Sequence, residues 1–460
     1  MNQPGEGITV ATASRFVIVS TIFLSAASAQ FDSGQIAGFV RDPSQSVIAG
    51  ANITVTNEGN GEKHRVVTNS TGYYVFPNLF VGSYTVEAEA PGFKKFVQSG
   101  IQLSAAAKLS VDVEMVVGSV SDSVEVTGTA ALVQSETATV GRTVETKQIE
   151  NLTMNGRNPI YLALLKPGVI GGSIGTFDPD SVSNGGFSIN GARADEYVVM
   201  VDGAVATRTR SSGSMLGAQD VDTVQEVQIL TANFNAEYGR SSGGQIRFVT
   251  KSGTTAFHGD LVENFRNSAL DANTWTRNHA TDPSLASRPQ PFRFNQFGFD
   301  VNGPIYIPHK FNADKSKLFF LYAEEWTRRR DDSTNTYTVP TQAMRDGDLS
   351  SLLSPSNPFF GRARVATDPD SKLPFPGNII PANRISPNGR ALLNAFPLPT
   401  PGFQQGTSNW IGAYSHYSNL RKDTMKFDYL LSEKHRLSVR GTLVPWRFNS
   451  PFEGTLFAAL

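Results

Sequence analysis

The chain has 460 residues, enough for roughly two to four domains. Its 40 Lys and Arg against 41 Asp and Glu give a net charge of −1, which excludes a basic polyanion binder and an acidic disordered tail. Cysteine is absent, which excludes disulfides, thiolate metal sites, a Cys nucleophile and a lipid-modified N-terminal Cys.

The first element is an export address. Arg15 precedes an apolar run from Phe16 to Leu24, and Ala27-Ser28-Ala29 reads as a small-residue cleavage site, so residues 1–29 are expected to be a signal peptide. The run is shorter than the ~20 residues a spanning helix needs. No other run of about 18 apolar residues follows, so a membrane role requires a β-barrel.

Residues 30–118 read as short strands: Gly34–Arg41, Ala51–Asn57, Lys63–Asn69, Tyr73–Phe76, Ser83–Ala90 and Lys108–Val117. Leu109, Val111, Val113, Met115 and Val117 alternate with Ser110, Asp112 and Glu114, the period of a half-buried strand. Asp42-Pro43, Asn57–Gly61, Thr71-Gly72 and Pro91-Gly92 mark turns, and the whole predicts a small β-sandwich. Gly38-Phe39-Val40-Arg41-Asp42, Gly50–Val55, Thr71–Phe76, Gly82–Val86 and Pro91-Gly92-Phe93 resemble the carboxypeptidase regulatory-like domain, which implies a seven-stranded accessory sandwich without peptidase activity. No His has Glu three residues on, so the zinc-peptidase pattern is missing, and no metal or cofactor is expected.

Residues 119–130 form a linker. Asp122-Ser123-Val124-Glu125-Val126-Thr127-Gly128 is an extended, β-branched stretch able to pair with an open sheet edge, or else one more strand. In residues 131–253, Val144–Leu152 and Pro159–Leu165 read as helices, and the Gly-rich loops at 171–175 and 184–186 lack the context of a phosphate loop. Then come Phe187–Arg193 with Asn190-Gly191 and Arg193, Tyr197–Gly203 ending in Asp202-Gly203, Val224–Ile229, and Asn235–Gly253. The last contains Glu237-Tyr238-Gly239, Gly243-Gly244 and Thr250-Lys251. Their order and spacing closely resemble the plug of TonB-dependent outer-membrane receptors. The resemblance makes Asp122–Gly128 a candidate TonB box. Arg193, Asp202, Glu237 and Arg240 are charges placed to tie plug to barrel wall.

Residues 254–460 alternate as barrel strands do. Phe257, Leu261 and Phe265 share one side; Leu318, Phe320, Tyr322 and Trp326 share another. Met425, Phe427, Tyr429 and Leu431 meet Leu437, Val439, Gly441 and Leu443 across the short turn Ser432–His435, the signature of a periplasmic hairpin. A Pro-rich stretch at about 332–409 reads as a long extracellular loop, and Asp178-Pro179-Asp180 and Asp368-Pro369-Asp370 read as turns rather than calcium loops. Phe292–Pro304 and Asn383–Phe396 resemble the Oar-like receptors, which carry the same sandwich.

The expected fold is mainly β: an N-terminal sandwich, a mixed α/β plug and an incomplete N-terminal portion of an antiparallel transmembrane barrel. A plugged barrel of ~22 strands needs roughly 200–240 strand residues. Residues 254–460 hold about six to ten strands at most, so the chain is expected to be an N-terminal part of a larger receptor or a truncated product. The resemblance implies no enzyme activity, an outer-membrane location after general secretory export, and active uptake of an extracellular ligand of oligosaccharide or peptide type. Its implied partners are TonB with its inner-membrane energising complex and outer-membrane lipid, and no nucleic acid. The alternative is adhesion or surface binding of the Oar-like type without uptake.

Overall fold

The computed structural model describes residues 33–118, 123–127, 139–152, 154–171, 186–207, 215–217, 219–234, 238–273, 289–432 and 435–449. The expected signal peptide, Asp122, Gly128 and Glu237 lie outside them. Two compact units are present. One comprises Met1–Glu263, Phe297–Trp326 and Leu420–Pro445; the other comprises Asn264–Gln296, Thr327–Asn419 and Trp446–Leu460.

The first unit opens with strands β1 (Ser33–Arg41), β2 (Asn52–Asn57), β3 (Lys63–Val67), β4 (Tyr73–Phe80), β5 (Gly82–Glu89), β6 (Lys95–Leu103), β7 (Lys108–Ser110), β8 (Val113–Glu114) and β9 (Ser123–Thr127). They form two sheets, β4-β1-β7 with β8 also on β1, and β3-β2-β5-β6-β9. The inner faces meet in a core of Ile36, Val40, Ile53, Val55, Tyr74, Val86, Leu109, Val111, Val113 and Met115. The expected strand Lys108–Val117 is split. β7 and β8 both run parallel to β1, but between them Phe39 N–H donates to the Asp112 carboxylate at 2.8 Å instead of to a ladder carbonyl. Val117 is exposed, contrary to its place in the alternation. Counted together, β7 and β8 complete seven strands, and β9 is an eighth.

The plug region follows with β10 (Val140–Glu145), β11 (Val169–Gly171), β12 (Phe187–Ile189), β13 (Tyr197–Val201), β14 (Ala204–Val205), β15 (Val224–Ala232) and β16 (Gly244–Thr250). Its main sheet is β10-β15-β16-β13-β14, and β11-β12 is a separate hairpin. The helix expected from Val144 begins at Thr146, because Val144 and Glu145 still pair with β15, and Pro159–Leu165 is a 3-10 helix. All of β16 is buried. Its Ile246 and Phe248 join Val199, Val227, Ile229, Phe187 and Tyr197 in the plug core.

Strands β17 (His258–Asn267), β18 (Phe292–Pro304), β19 (Leu318–Tyr337), β20 (Trp410–Ser432), β21 (His435–Leu443) and β22 (Trp446–Asn449) make one sheet, ordered β17-β18-β19-β20-β21, with β22 on β20. Six strands do not close, so the sheet is a partial barrel. Leu437, Val439 and Leu443 are exposed in register with Tyr429, Phe427 and Asp423, and Phe427 and Leu431 are exposed too. Inward lie Lys426 opposite Arg440 and Asp428 opposite Ser438. On β19 the buried face is mostly apolar: Phe319, Leu321, Ala323 and Glu325 are buried while Leu318, Phe320, Tyr322 and Trp326 lie on the other face.

The second unit holds the long connection. It is shorter than expected, because β19 continues to Tyr337, and it is not irregular. It carries helices Gln342–Arg345 and Pro387–Ala395, and buried asparagines stand in for a ladder. Asn378 accepts from Ala366 N–H and donates to Leu349 and Arg364 carbonyls. Asn409 makes both bonds with the Val339 backbone. Arg384 bridges Asp368 and Asp370 at 2.6 and 2.5 Å, so that acidic pair is an arginine-tied turn.

Gly38 explains one glycine of the sandwich motif. A Cβ there would lie 2.0 Å from the Val111 carbonyl oxygen, a backbone atom held by the Tyr74 hydroxyl at 2.6 Å. Gly38→Ala is expected to destabilise the sandwich by about 2–3 kcal/mol, the overpacking range. Urea unfolding followed by intrinsic fluorescence tests this, and an unchanged midpoint refutes it.

Candidate functional site

Two neighbouring turns fix the plug motifs. Asn190 and Gly191 have φ of 51° and 81°, and Ala192 N–H bonds the Ile189 carbonyl. Asp202 and Gly203 have φ of 47° and 80° and join β13 to β14 through two residues. Positive φ at both central positions is the type I′ geometry, which selects Asn-Gly and Asp-Gly. Gly243 and Gly244 are demanded by space. A Cβ on Gly243 would be 2.9 Å from Ala192 Cβ, and one on Gly244 2.6 Å from the Leu230 carbonyl.

The second turn places Asp202 at the wall. Its carboxylate accepts from Thr250 N–H at 2.8 Å and from the Thr250 hydroxyl at 2.6 Å. Lys426 Nζ lies 3.9 Å and Arg440 Nε 3.7 Å from the same carboxylate. Lys426 also donates to the Thr250 carbonyl and hydroxyl, and Arg440 to the Gln219 side chain. Below them Asp428 accepts from Ser252 and Ser438 and pairs with Arg436 at 3.0 Å.

A second cluster lies deeper. Lys422 and Glu325, 2 % and 1 % exposed at the side chain, pair at 2.6 Å across the inner face of the wall. Arg157 of the plug pairs with Asp222 at 2.5 Å and stands 3.7 Å from Glu325. Asp220 is buried beside them, its carboxylate capping the turn that starts β15. Burial, with Glu325 and Asp222 nearby, pushes its carboxyl up to about 8. Asp220, Asp222 and Glu325 outnumber the cations Arg157 and Lys422, so a proton on Asp220 balances the cluster.

Among the described residues the sandwich hydrogen-bonds the plug through the loop at Ala105. Ala105 N–H donates to Glu226 of β15 at 2.8 Å, and Gln228 donates to the Ala105 carbonyl. It meets the wall where Thr255 N–H bonds the Gly59 carbonyl at 3.0 Å and Arg436 covers the Phe80 ring at 3.8 Å.

Of the residues singled out in the sequence, Asn190, Gly191, Asp202, Gly203, Gly243, Gly244 and Thr250 therefore converge at the plug turns. Tyr238 lies against the Arg247 guanidinium at 4.2 Å, the Gly239 carbonyl accepts from Gln245, and Lys251 pairs with Glu150 at 3.3 Å. Arg193 and Arg240 are exposed. Ser123, Val124, Glu125, Val126 and Thr127 form β9, parallel to Lys95–Ser99 at the end of the sandwich sheet. Sequence reasoning missed Arg157, Gln219, Asp220, Glu325, Lys422, Lys426, Asp428, Arg436 and Arg440. For Glu325, Lys422, Lys426, Asp428, Arg436 and Arg440 the usable signal was charge at inward positions of alternating strands, whereas Arg157, Gln219 and Asp220 lie off such strands.

Asp220 sets a pH dependence with a defined sign. Its folded pKa, about 8, lies above the unfolded value near 3.8, so the folded state binds the extra proton. Stability is then greatest below about pH 4 for this group and falls as pH rises towards 8. Asp220→Asn keeps the capping oxygen and removes the proton. Denaturant midpoints at pH 5 and pH 8 are expected to differ less in Asp220→Asn than in the parent; equal slopes refute the assignment.

Parts of the chain match known domains. Residues 249–458 match the outer membrane beta barrel domain and residues 35–116 the carboxypeptidase regulatory-like domain. The TonB-dependent transporter Oar of Myxococcus xanthus is 29% identical over 355 residues, which is 75% of this chain and 31% of that protein. The chain thus spans about a third of the length of this relative. The outer membrane transporter YddB from Escherichia coli aligns at a TM-score of 0.38 and 15% identity over 66% of this chain and 32% of its own. The siderophore receptor PirA from Acinetobacter baumannii aligns at 0.33 and 12% over 67% and 32%. Scores of that size carry no argument; the domain matches and the relative do. With a regulatory-like sandwich ahead of barrel strands, the chain is similar to the TonB-dependent transporter Oar and carries a match to the outer membrane beta barrel domain.

Proposed function

We propose that this chain supplies the sandwich, plug and leading wall strands of a receptor that takes up an extracellular ligand through the outer membrane, energised by TonB. The supporting observation is the seam between plug and wall. It carries ion pairs and hydrogen bonds centred on Asp202 and on the Lys422–Glu325 pair, beside the buried Phe319, Leu321 and Ala323 of β19. Buried ion pairs fix register while adding little net stability, so a plug held this way is positioned but can be moved. TonB, carried by its inner-membrane energising complex, pairs with the segment Asp122–Gly128. The ligand class follows only the lean of the regulatory-like domain towards oligosaccharide or peptide. Export by the general secretory route, with cleavage after Ala29, accords with the N-terminal pattern.

Surface binding without uptake is the second reading. Phe360, Val365, Leu373, Leu392 and Leu398 of the long connection are exposed, an apolar set suited to contact with another surface.

Capture of the full chain in detergent by the periplasmic domain of TonB separates the two. Capture that disappears on deleting Asp122–Gly128 is the expected result. Failure of the parent chain to bind removes the transport reading and leaves adhesion.

A further inference from the structure

The placement of β9 bears on how a pull reaches the plug. β9 closes the order β3-β2-β5-β6-β9, and among the described residues its only strand partner is β6. The pairing is parallel and runs from Lys95 opposite Ser123 to Ser99 opposite Thr127. The far edge of β9 therefore offers a row of N–H and C=O groups, the template on which an extended peptide adds. β6 is also the strand that leads directly to the plug. It ends at Leu103, and two residues on, Ala105 donates to Glu226 and accepts from Gln228 on β15. Both plug side chains are buried. A continuous path thus runs from β9 across one ladder to β6 and along the chain to the central plug sheet.

Resting on the reading above, we propose that the partner strand adds to the free edge of β9 while β9 stays paired to β6, and that the sandwich passes the load through the Ala105 contact into β15. The sandwich then acts as the coupling piece between partner and plug. A pull along β9 loads the β6–β9 hydrogen bonds side by side, so they share it. If β9 instead had to leave β6 before binding, its ladder would oppose the partner, and the sandwich would carry no load.

The absence of native Cys allows a direct test. Gln98 and Val126 face each other across the pair, and neighbouring strands lie at a separation a disulfide spans. The full chain carrying Q98C and V126C is oxidised or reduced and titrated with the periplasmic domain of TonB. Equal affinity in both states is expected. Binding that is lost on oxidation and restored by reductant overturns the proposal and leaves the transport reading intact. Absence of binding in the parent sinks both. For the load path, E226A and A105P remove the same hydrogen bond from opposite sides. Single-molecule pulling through the captured TonB domain is expected to extend the plug at altered force in both variants while binding is unchanged. A force trace identical to the parent in both variants overturns the transmission step.

Discussion

Alternation along β20 and β21 turns Phe427, Leu431, Leu437, Val439 and Leu443 one way and Lys422, Lys426, Asp428, Arg436 and Arg440 the other, and on β19 Glu325 shares the buried face with Phe319 and Leu321. A charge taken out of water needs a partner or costs several kcal/mol. The wall therefore constrains what lies against it. The plug answers with Asp202, Thr250, Gln219 and Arg157, each delivered by a turn or strand end rather than by the middle of an element. The backbone geometry of those turns follows from this demand. Asp202 reaches Thr250, Lys426 and Arg440 together only because the Asp202-Gly203 turn holds it at positive φ.

Much of this was legible in the sequence where the cause is local. Asn190-Gly191 and Asp202-Gly203 stand out because type I′ turns admit few other pairs. The β20–β21 hairpin stands out because one face meets an apolar phase. The sandwich strands β1 to β5 follow from alternation bounded by turn residues. The exceptions share a cause in long-range structure. β6 escaped notice because Gly100, at φ 75°, interrupts its period beside a register shift opposite Tyr84 and Val86. Lys108–Val117 looked continuous because the alternation of its buried residues survives a break that only Asp112 and the Phe39 N–H reveal. The helix before Leu152 began late because β15, distant in sequence, recruits Val144 and Glu145.

The candidate site was half legible for the same reason. The plug partners announce themselves through turn chemistry. The wall partners are single inward charges in strands whose pattern gives direction but not partner. Arg193 and Arg240 carry the right charge and lie exposed, whereas Arg157, in a segment without a recognisable pattern, reaches the wall. Charge type alone did not choose between them.

A polar seam has a mechanical consequence that an apolar one lacks. Separating packed side chains leaves voids and exposed carbon, and both penalties persist as long as the surfaces stay apart. Separating Asp202 from Lys426 and Arg440 is costly only while the charges stay dry. Once water enters, each ion recovers its hydration, and the net loss shrinks to the small surplus by which the pair exceeded solvation. A plug moved away from this wall would therefore meet its barrier at the start, where the bonds around Asp202 and Thr250 stretch together before water arrives. On the proposed uptake reading, a brief pull would cross such a barrier, and the same charges, turned inward by the strand pattern, would draw the plug back into register when the pull ends.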